Sequence, residues 1–350
     1  MNDKLRRFSC AVLAAAALAV SYSARPRAWT FHGTRGEDAP VSLPVEERIL
    51  IPGGQAIGIA LKTQGVLVVA KGNRENTKSA LRVGDVITHI GGRAVLSASE
   101  LTECVSSAKT DTVELSVVRR GRAETVSVKT VSDPADGRRR LGIWVRDSTA
   151  GVGTLSYIDP VTQAYGALGH AIVDGDTGDS VTVREGAILR ADIVGVVRGK
   201  SGSAGELKGS FLKENDQIGT LSLNSEYGVF GHMNGQMEGV LYPQGLPVGR
   251  RDEVQPGPAA IISTVDGGMP VQYSVEILRC FEQDKPAQKG MLLRVTDERL
   301  LGKTGGIVQG MSGSPIIQDG KLVGAVTHVL VNDPTRGYGI FIENMLEAAS

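Results

Sequence analysis

The chain has little that could staple it or anchor it to metal. Its three cysteines, Cys10, Cys104 and Cys280, form no CxxC pair and no Cys/His spacing of the metal-binding kind, which excludes a disulfide framework and a structural zinc site. Neither sign of charge is in excess, with Lys+Arg at 38 and Asp+Glu at 38. No net field therefore favours nucleic acid or an anionic bilayer as a partner. Aromatic residues make up only 4% of the chain, and no apolar run of membrane-spanning length follows the first thirty residues. Long helices are also scarce in the hydrophobic pattern.

What is there points to β-structure. Forty-five glycines without a fixed period accompany frequent Val/Thr alternation, the pattern of many short strands joined by tight turns. At 41% hydrophobic and 22% charged, 350 residues are enough for two domains with separate cores. Residues 1–30 begin with Lys4, Arg6 and Arg7, continue with an apolar run from Cys10 to Val20, and reach Ser/Ala before Arg25. This is an export signal, either cleaved or kept as an N-terminal membrane anchor, and it puts the rest of the chain outside the cytoplasm.

Residues 45–132 form the first folded unit. TVELSVVRR and ETVSVKT alternate as a hairpin around a turn at Arg120 to Arg122. Ser97 and Glu100 make a capping box, and Leu101, Cys104, Val105 and Ala108 recur on one helical face. Cys104 is thereby a core residue. The unit resembles a PDZ domain through Ala80-Leu81-x-x-Gly84-Asp85-x-Ile87, Gly91-Gly92 and the order of strands and helix. The resemblance implies a bound peptide end, with Ile57, Gly58 and Ile59 of AIGI as the carboxylate-binding loop. On spacing alone, the same residues read equally as a glycine-rich turn entering a strand. Residues 133–140, with Pro, Gly and three successive arginines, read as a solvated linker.

Residues 141–350 show recurrent strand-like runs and one clear helix, IENMLEAAS at the end. This is the size and pattern of two packed barrels, with a sandwich as the alternative. Among five histidines, His32 lies in the unpatterned start and His89 in the first unit, while His170 sits among small residues in GALGHAIVDGDTG. A neutral imidazole there could take and return a proton near neutral pH. GMSGSP places Ser312 in a backbone able to bend sharply and aim N–H groups at one point, as acyl transfer requires. Ser314, next to Pro315, reads as a turn hydroxyl.

GMSGSP resembles the GDSGGP signature of trypsin-like serine proteases, which implies Ser312 as nucleophile and the Gly310 and Ser312 N–H groups as oxyanion hole. Met311 stands where those enzymes carry Asp, so activation by a freed N-terminus is not expected. The chain from the PDZ-like unit onward resembles the SpoIVB peptidase family of endospore-forming bacteria, through RDSTAGVGTLSYIDP, GALGHAI, TGGIVQGMSGSPIIQDGKLVGAVTHVLVNDP and GYGIFIENML. That resemblance implies a PDZ domain followed by a trypsin-like double β-barrel, and a triad of His170, Asp297 and Ser312. Spacing alone equally admits Asp174 and Asp192 as the acid. It further implies no metal or organic cofactor and a signalling endopeptidase released between forespore and mother-cell membranes. The implied substrate is a membrane-bound inhibitor whose cleavage starts activation of a late sporulation sigma factor, with self-cleavage besides. A non-catalytic PDZ scaffold with a degenerate protease domain is the competing reading; a quality-control protease fits less well, because there the PDZ usually follows the protease.

Overall fold

The computed structural model describes residues 48–72, 80–178, 180–211, 217–234 and 237–350. The leader over 1–30 and His32 lie outside the described residues. The chain opens with β1 (Ile49–Pro52) and the sixteen-residue β2 (Ala56–Lys71). There follow β3 (Val86–Ile90), β4 (Arg93–Ala94), helix α1 (Ala98–Ser106), β5 (Thr112–Arg119), β6 (Arg122–Lys129), β7 (Val131–Ser132), β8 (Arg139–Arg140) and a second sixteen-residue strand, β9 (Ile143–Ile158). Then come β10 (Ala164–Ala167), β11 (Val183–Arg190), the hairpin β12 (Asp192–Val197) and β13 (Glu206–Ser210), β14 (Gln217–Ser225), β15 (Gly228–Met233) and β16 (Leu246–Pro247). The last part holds β17 (Gly257–Ser263), β18 (Val271–Cys280), β19 (Met291–Val295), α2 (Glu298–Thr304), β20 (Pro315–Gln318), β21 (Lys321–Leu330), β22 (Asp333–Phe341) and α3 (Ile342–Ala349).

The fold is mainly β, a PDZ domain joined to two six-stranded barrels. In the first, β9, β10, β15, β14, β11 and β2 pair in that order, and β2 pairs back to β9 to close the ring. In the second, β17, β18, β19, β22, β21 and β20 close in the same way. Each barrel has its own core, around Ile57, Leu155 and Ile188 in the first and Ile261, Leu293 and Ile316 in the second. Each such fully buried aliphatic side chain contributes roughly 1.5–3 kcal/mol. A further cluster wedges α3 against Leu50, Tyr157 and Phe230.

Local sequence rules account for the PDZ unit. The Ser97 side chain accepts from the Glu100 N–H at 3.1 Å, so the capping signal does start α1. Val113, Leu115 and Val117 alternate into the core of β5, and Arg120 and Gly121 both take positive φ in the two-residue turn to β6. Asp85 of the GDVI signature is an ion-pair residue, 1% exposed, with Arg119 held bidentately at 2.7 Å through both oxygens.

Strand pairing moves the boundary between the units. Residues 56–62 of β2 pair with 148–154 of β9 inside the first barrel, whereas 67–71 pair with 143–146 in the PDZ unit. The PDZ domain is therefore inserted between two barrel strands that it extends, and the register breaks between Lys62 and Leu67. Residues 133–140 are not a free linker. They fold as the β7–β8 hairpin, with Arg140 bound to Asp133 at 2.9 Å and Asp136 at 2.7 Å.

Candidate active site

The segment between α2 and β20 is a turn held from several sides. Within it, Met311 donates to the Val308 carbonyl at 3.1 Å and Ser314 to the Met311 carbonyl at 3.0 Å, while Gly313 donates out to Val326 at 2.7 Å. Thr154 of β9 reaches across from the first barrel: its N–H donates to the Ser312 carbonyl at 2.9 Å and its hydroxyl to the Gly310 carbonyl at 2.8 Å. Gly310 and Gly313 take φ of +95° and +98°, and a Cβ on Gly313 would lie 2.0 Å from the Thr154 carbonyl oxygen. Glycine is required there by both conformation and space. Among the described residues, the N–H groups of Gly310 and Ser312 are left without a hydrogen-bond partner.

Ser312 and His170 line one cleft of about 680 Å³ between the barrels, together with His328 and an apolar wall that includes Leu168, Ile172, Val308 and Val329. The Ser312 hydroxyl donates to the Thr327 carbonyl at 2.9 Å, not to His170. His170 follows two consecutive left-handed residues, Leu168 at φ 68° and Gly169 at φ 71°, which turn the chain sharply at the end of β10. Its Nδ1 lies 2.8 Å from the Ala171 carbonyl oxygen. A carbonyl can only accept, so Nδ1 carries the proton and Nε2 is the free lone pair. Burial pushes the His170 pKa below the ordinary imidazole value, partly offset by the Ala171 carbonyl. The imidazole is therefore neutral, the form a general base needs.

Two residues of the site escaped sequence reasoning. His328, on β21, stacks its ring obliquely at 5.3 Å from that of His170, and its buried Nδ1 has no hydrogen-bond partner among the described residues. Burial first, then the charges of His170 and Lys289, lower its pKa to about 4. Only its position on the second strand after the serine turn could have marked it. Asn224 pins the segment beyond His170, accepting from the Ile172 N–H at 2.8 Å and donating to the carbonyls of Ile172 at 2.8 Å and Val181 at 2.9 Å. No sequence motif singles it out.

The three candidate acids are not brought to His170. Asp297 is the N-cap of α2, accepting from the N–H groups of Arg299 at 3.0 Å and Leu300 at 3.3 Å, and it pairs with the Arg299 guanidinium at 2.7 Å. Arg299 first, and these backbone donors with Ser274, hold its carboxyl down to about 2 against the opposing cost of burial. Asp174 is 2% exposed and closes a turn through Asp176 and Thr177 while pairing with Arg146 at 2.7 Å. Asp192 is exposed at the start of β12. Ser314 is fully buried behind the turn, so its hydroxyl faces no substrate.

The loop over Ile57, Gly58 and Ile59 is corrected by the structure. These residues are central in the first barrel, paired with 151–153 of β9 on one side and 188–190 of β11 on the other. Both backbone edges are consumed, and Ile57 and Ile59 point into the barrel core. A peptide carboxylate finds no free N–H there. A groove of about 690 Å³ opens elsewhere, between Leu101 and Val105 of α1 and the Leu141, Gly142, Ile143 and Val145 segment that leads into β9. The stretch 143–146 pairs with β2 on one side only.

Comparison with known proteins fits this architecture. Residues 55–130 match the PDZ domain model, and residues 137–346 match the SpoIVB peptidase S55 model. Among solved structures, the PDZ domain of the SdrC-like protein from Listeria monocytogenes is 27% identical over 24% of this chain and 90% of that one, with a TM-score of 0.22. The Rv3671c protease from M. tuberculosis in its active form is 13% identical over 58% of this chain and 75% of that one, with a TM-score of 0.33. The HtrA-type protease AlgW with decapeptide is 13% identical over 70% of this chain and 65% of that one, with a TM-score of 0.31. No curated protein matches the chain. The peptidase model covers more than half of the sequence and includes both His170 and Ser312, and on that ground the chain, a serine peptidase with a PDZ domain, belongs to the SpoIVB peptidase S55 family.

Proposed function

We propose that this chain is an exported endopeptidase in which Ser312 is the nucleophile and His170 the general base. The observation that carries the reading is one cleft holding a serine on a pinned glycine turn, two unpartnered N–H groups and a neutral imidazole with its Nε2 free. The Ser312 hydroxyl leaves the Thr327 carbonyl and turns to His170. As its oxygen attacks the scissile carbonyl, the proton passes to Nε2 and the carbonyl electrons move onto oxygen, where the Gly310 and Ser312 N–H groups stabilise the charge. His170 then returns the proton to the leaving amine, and water attacking the acyl-enzyme regenerates Ser312 by the same route.

The resemblance to the family makes Asp297 the third member, but its carboxylate is committed to Arg299 and α2. We assign the task of fixing the His170 tautomer to the Ala171 carbonyl. The groove beside α1 is the proposed seat of a peptide end added along the free edge of 143–145, in place of Ile57 to Ile59. Family membership supports a membrane-bound regulatory protein of sporulation as substrate, self-cleavage, and action in the space between the two membranes. Among the described residues no helix is long and apolar enough to cross a membrane.

A second reading, a non-catalytic PDZ scaffold, draws on the resting Ser312 bond to Thr327 in place of His170. One experiment separates the two. Wild type and Ser312→Ala are compared for fluorophosphonate labelling and for self-cleavage; labelling and cleavage that vanish with Ser312 support the peptidase, and identical behaviour of the pair refutes it.

A further inference from the structure

The turn at 309–313 carries both proposed oxyanion donors, and its two glycines allow many other backbone conformations. Something outside the turn has to select one. Backbone groups of Gly205, Leu207 and Val326 hold its two ends, and Thr154 adds the one side-chain hydrogen bond among the described residues, from the opposite barrel. It is 1% exposed, in the interior of β9. Its hydroxyl donates to the Gly310 carbonyl at 2.8 Å, its N–H to the Ser312 carbonyl at 2.9 Å, and its own carbonyl accepts from Leu168 at 3.3 Å. Among the described residues, no other side chain outside the turn hydrogen-bonds to 309–313.

The geometry of the peptide planes gives this contact its meaning. The Gly310 carbonyl belongs to the plane that follows Gly310, so holding it limits rotation about the residue whose own N–H must point at the oxyanion. The plane bearing the Ser312 N–H is already fixed by the Met311 carbonyl, which accepts from Ser314 at 3.0 Å. The plane bearing the Gly310 N–H is held in the same way by the Gln309 carbonyl, which accepts from Leu207 at 2.8 Å, and the Thr154 hydroxyl holds the plane that follows, so the two contacts together set φ and ψ of Gly310. Through Leu168, Thr154 also ties the turn that precedes His170 to the serine turn.

We propose that Thr154 is a positioning residue of the acyl-transfer step, its hydroxyl keeping the Gly310 N–H aimed at the developing oxyanion. This rests on the serine-peptidase reading of the cleft. A valine there keeps shape and burial but cannot donate, and the Gly310 carbonyl loses its partner.

The test uses the full chain as wild type, Thr154→Val, Thr154→Ala, Thr154→Ser and Ser312→Ala. The readouts are hydrolysis of p-nitrophenyl butyrate, inhibition by phenylboronic acid and the thermal midpoint. Phenylboronic acid forms a tetrahedral adduct on the serine oxygen and places a negative oxygen at the same two N–H groups. Loss of one hydrogen bond that secures an oxyanion donor should lower kcat about tenfold in Val and Ala, with KM within about twofold and a matching loss of boronate affinity. Thr154→Ser should recover both to within about twofold of wild type. Ser312-dependent hydrolysis that survives Val and Ala unchanged overturns the assignment alone, as does a Ser variant as impaired as Val. Equal rates for wild type and Ser312→Ala remove the serine-peptidase reading and this assignment with it.

Discussion

Replacing Asp297 separates a helix cap from a triad acid. Asp297→Asn keeps a side chain that can cap α2 and removes only the charge that pairs with Arg299, whereas Asp297→Ala removes both. Between the ordinary 3.8 and the folded value of about 2, linkage allows the charge at most roughly 2.5 kcal/mol. Arg299 is 66% exposed, so solvent screens much of this, and about 1 kcal/mol is the working figure. Loss of the cap adds about 1 kcal/mol in the Ala variant. The expected result is a thermal midpoint lowered by roughly 3 °C in Asn and 6 °C in Ala. A carboxylate with a depressed folded pKa contributes stability that is complete above its unfolded value and is lost as pH falls through the folded one. The difference between wild type and Asn should therefore fade between pH 4 and about 2. Activity is the sharper reading. Where an Asp orients the catalytic His, Asn in its place costs ~10⁴ in kcat; here kcat should stay within about threefold, since Ala171 fixes the tautomer. A folded Asp297→Asn protein with normal KM and a kcat down by a thousandfold or more would refute the assignment and return Asp297 to the triad.

Burial lowers the His170 pKa, and the base must be neutral to act. The acid limb of kcat/KM should accordingly fall at a pH below the ordinary imidazole value of 6.5, and a limb at or above it would contradict the buried neutral imidazole. Gly313→Ala puts a methyl 2.0 Å from the Thr154 carbonyl at a φ of +98°; it should cost at least about 3 kcal/mol and abolish fluorophosphonate labelling, as read by thermal unfolding and gel fluorescence. Thr102→Arg, at an exposed position of α1 that lines the PDZ groove, should weaken binding of a C-terminal peptide to it at least about tenfold while leaving p-nitrophenyl butyrate hydrolysis unchanged. Gly58→Ala should instead disturb folding, because its new methyl would meet the Phe211 ring at 2.3 Å.

What the sequence made legible was periodic or punctuated. The α1 capping box, the β5–β6 hairpin and the terminal helix each rest on contacts within a few residues, which spacing reports directly, while the turn around Ser312 showed through its glycines. What it hid depends on which strands meet. Ile57 to Ile59 look like a loop opening a PDZ unit, yet pairing on both edges makes them barrel core. Asp297 opens the seven-residue α2, whose start shows in sequence only as an N-cap followed by Glu298, and its expected place in a triad came from the family resemblance, not from spacing. His328 and Asn224 join the site through sheet register, and no local pattern records register.

Inserting the PDZ domain between two barrel strands has a mechanical consequence. β9 borders the proposed peptide groove at 143–145 and, nine to eleven residues later, supplies Thr154 to the serine turn. β2 runs antiparallel beside it through both units, and the shared register shifts twice, between Val68 and Ala70 inside the PDZ unit and, where the two units meet, between Lys62 and Leu67, where Gly65 takes a φ of +122°. A flexible linker would let the two units reorient freely. Two hydrogen-bonded strands do not: any swing of the PDZ domain must bend both at that break, and the force it exerts is delivered along β9 toward the residue that holds the Gly310 carbonyl.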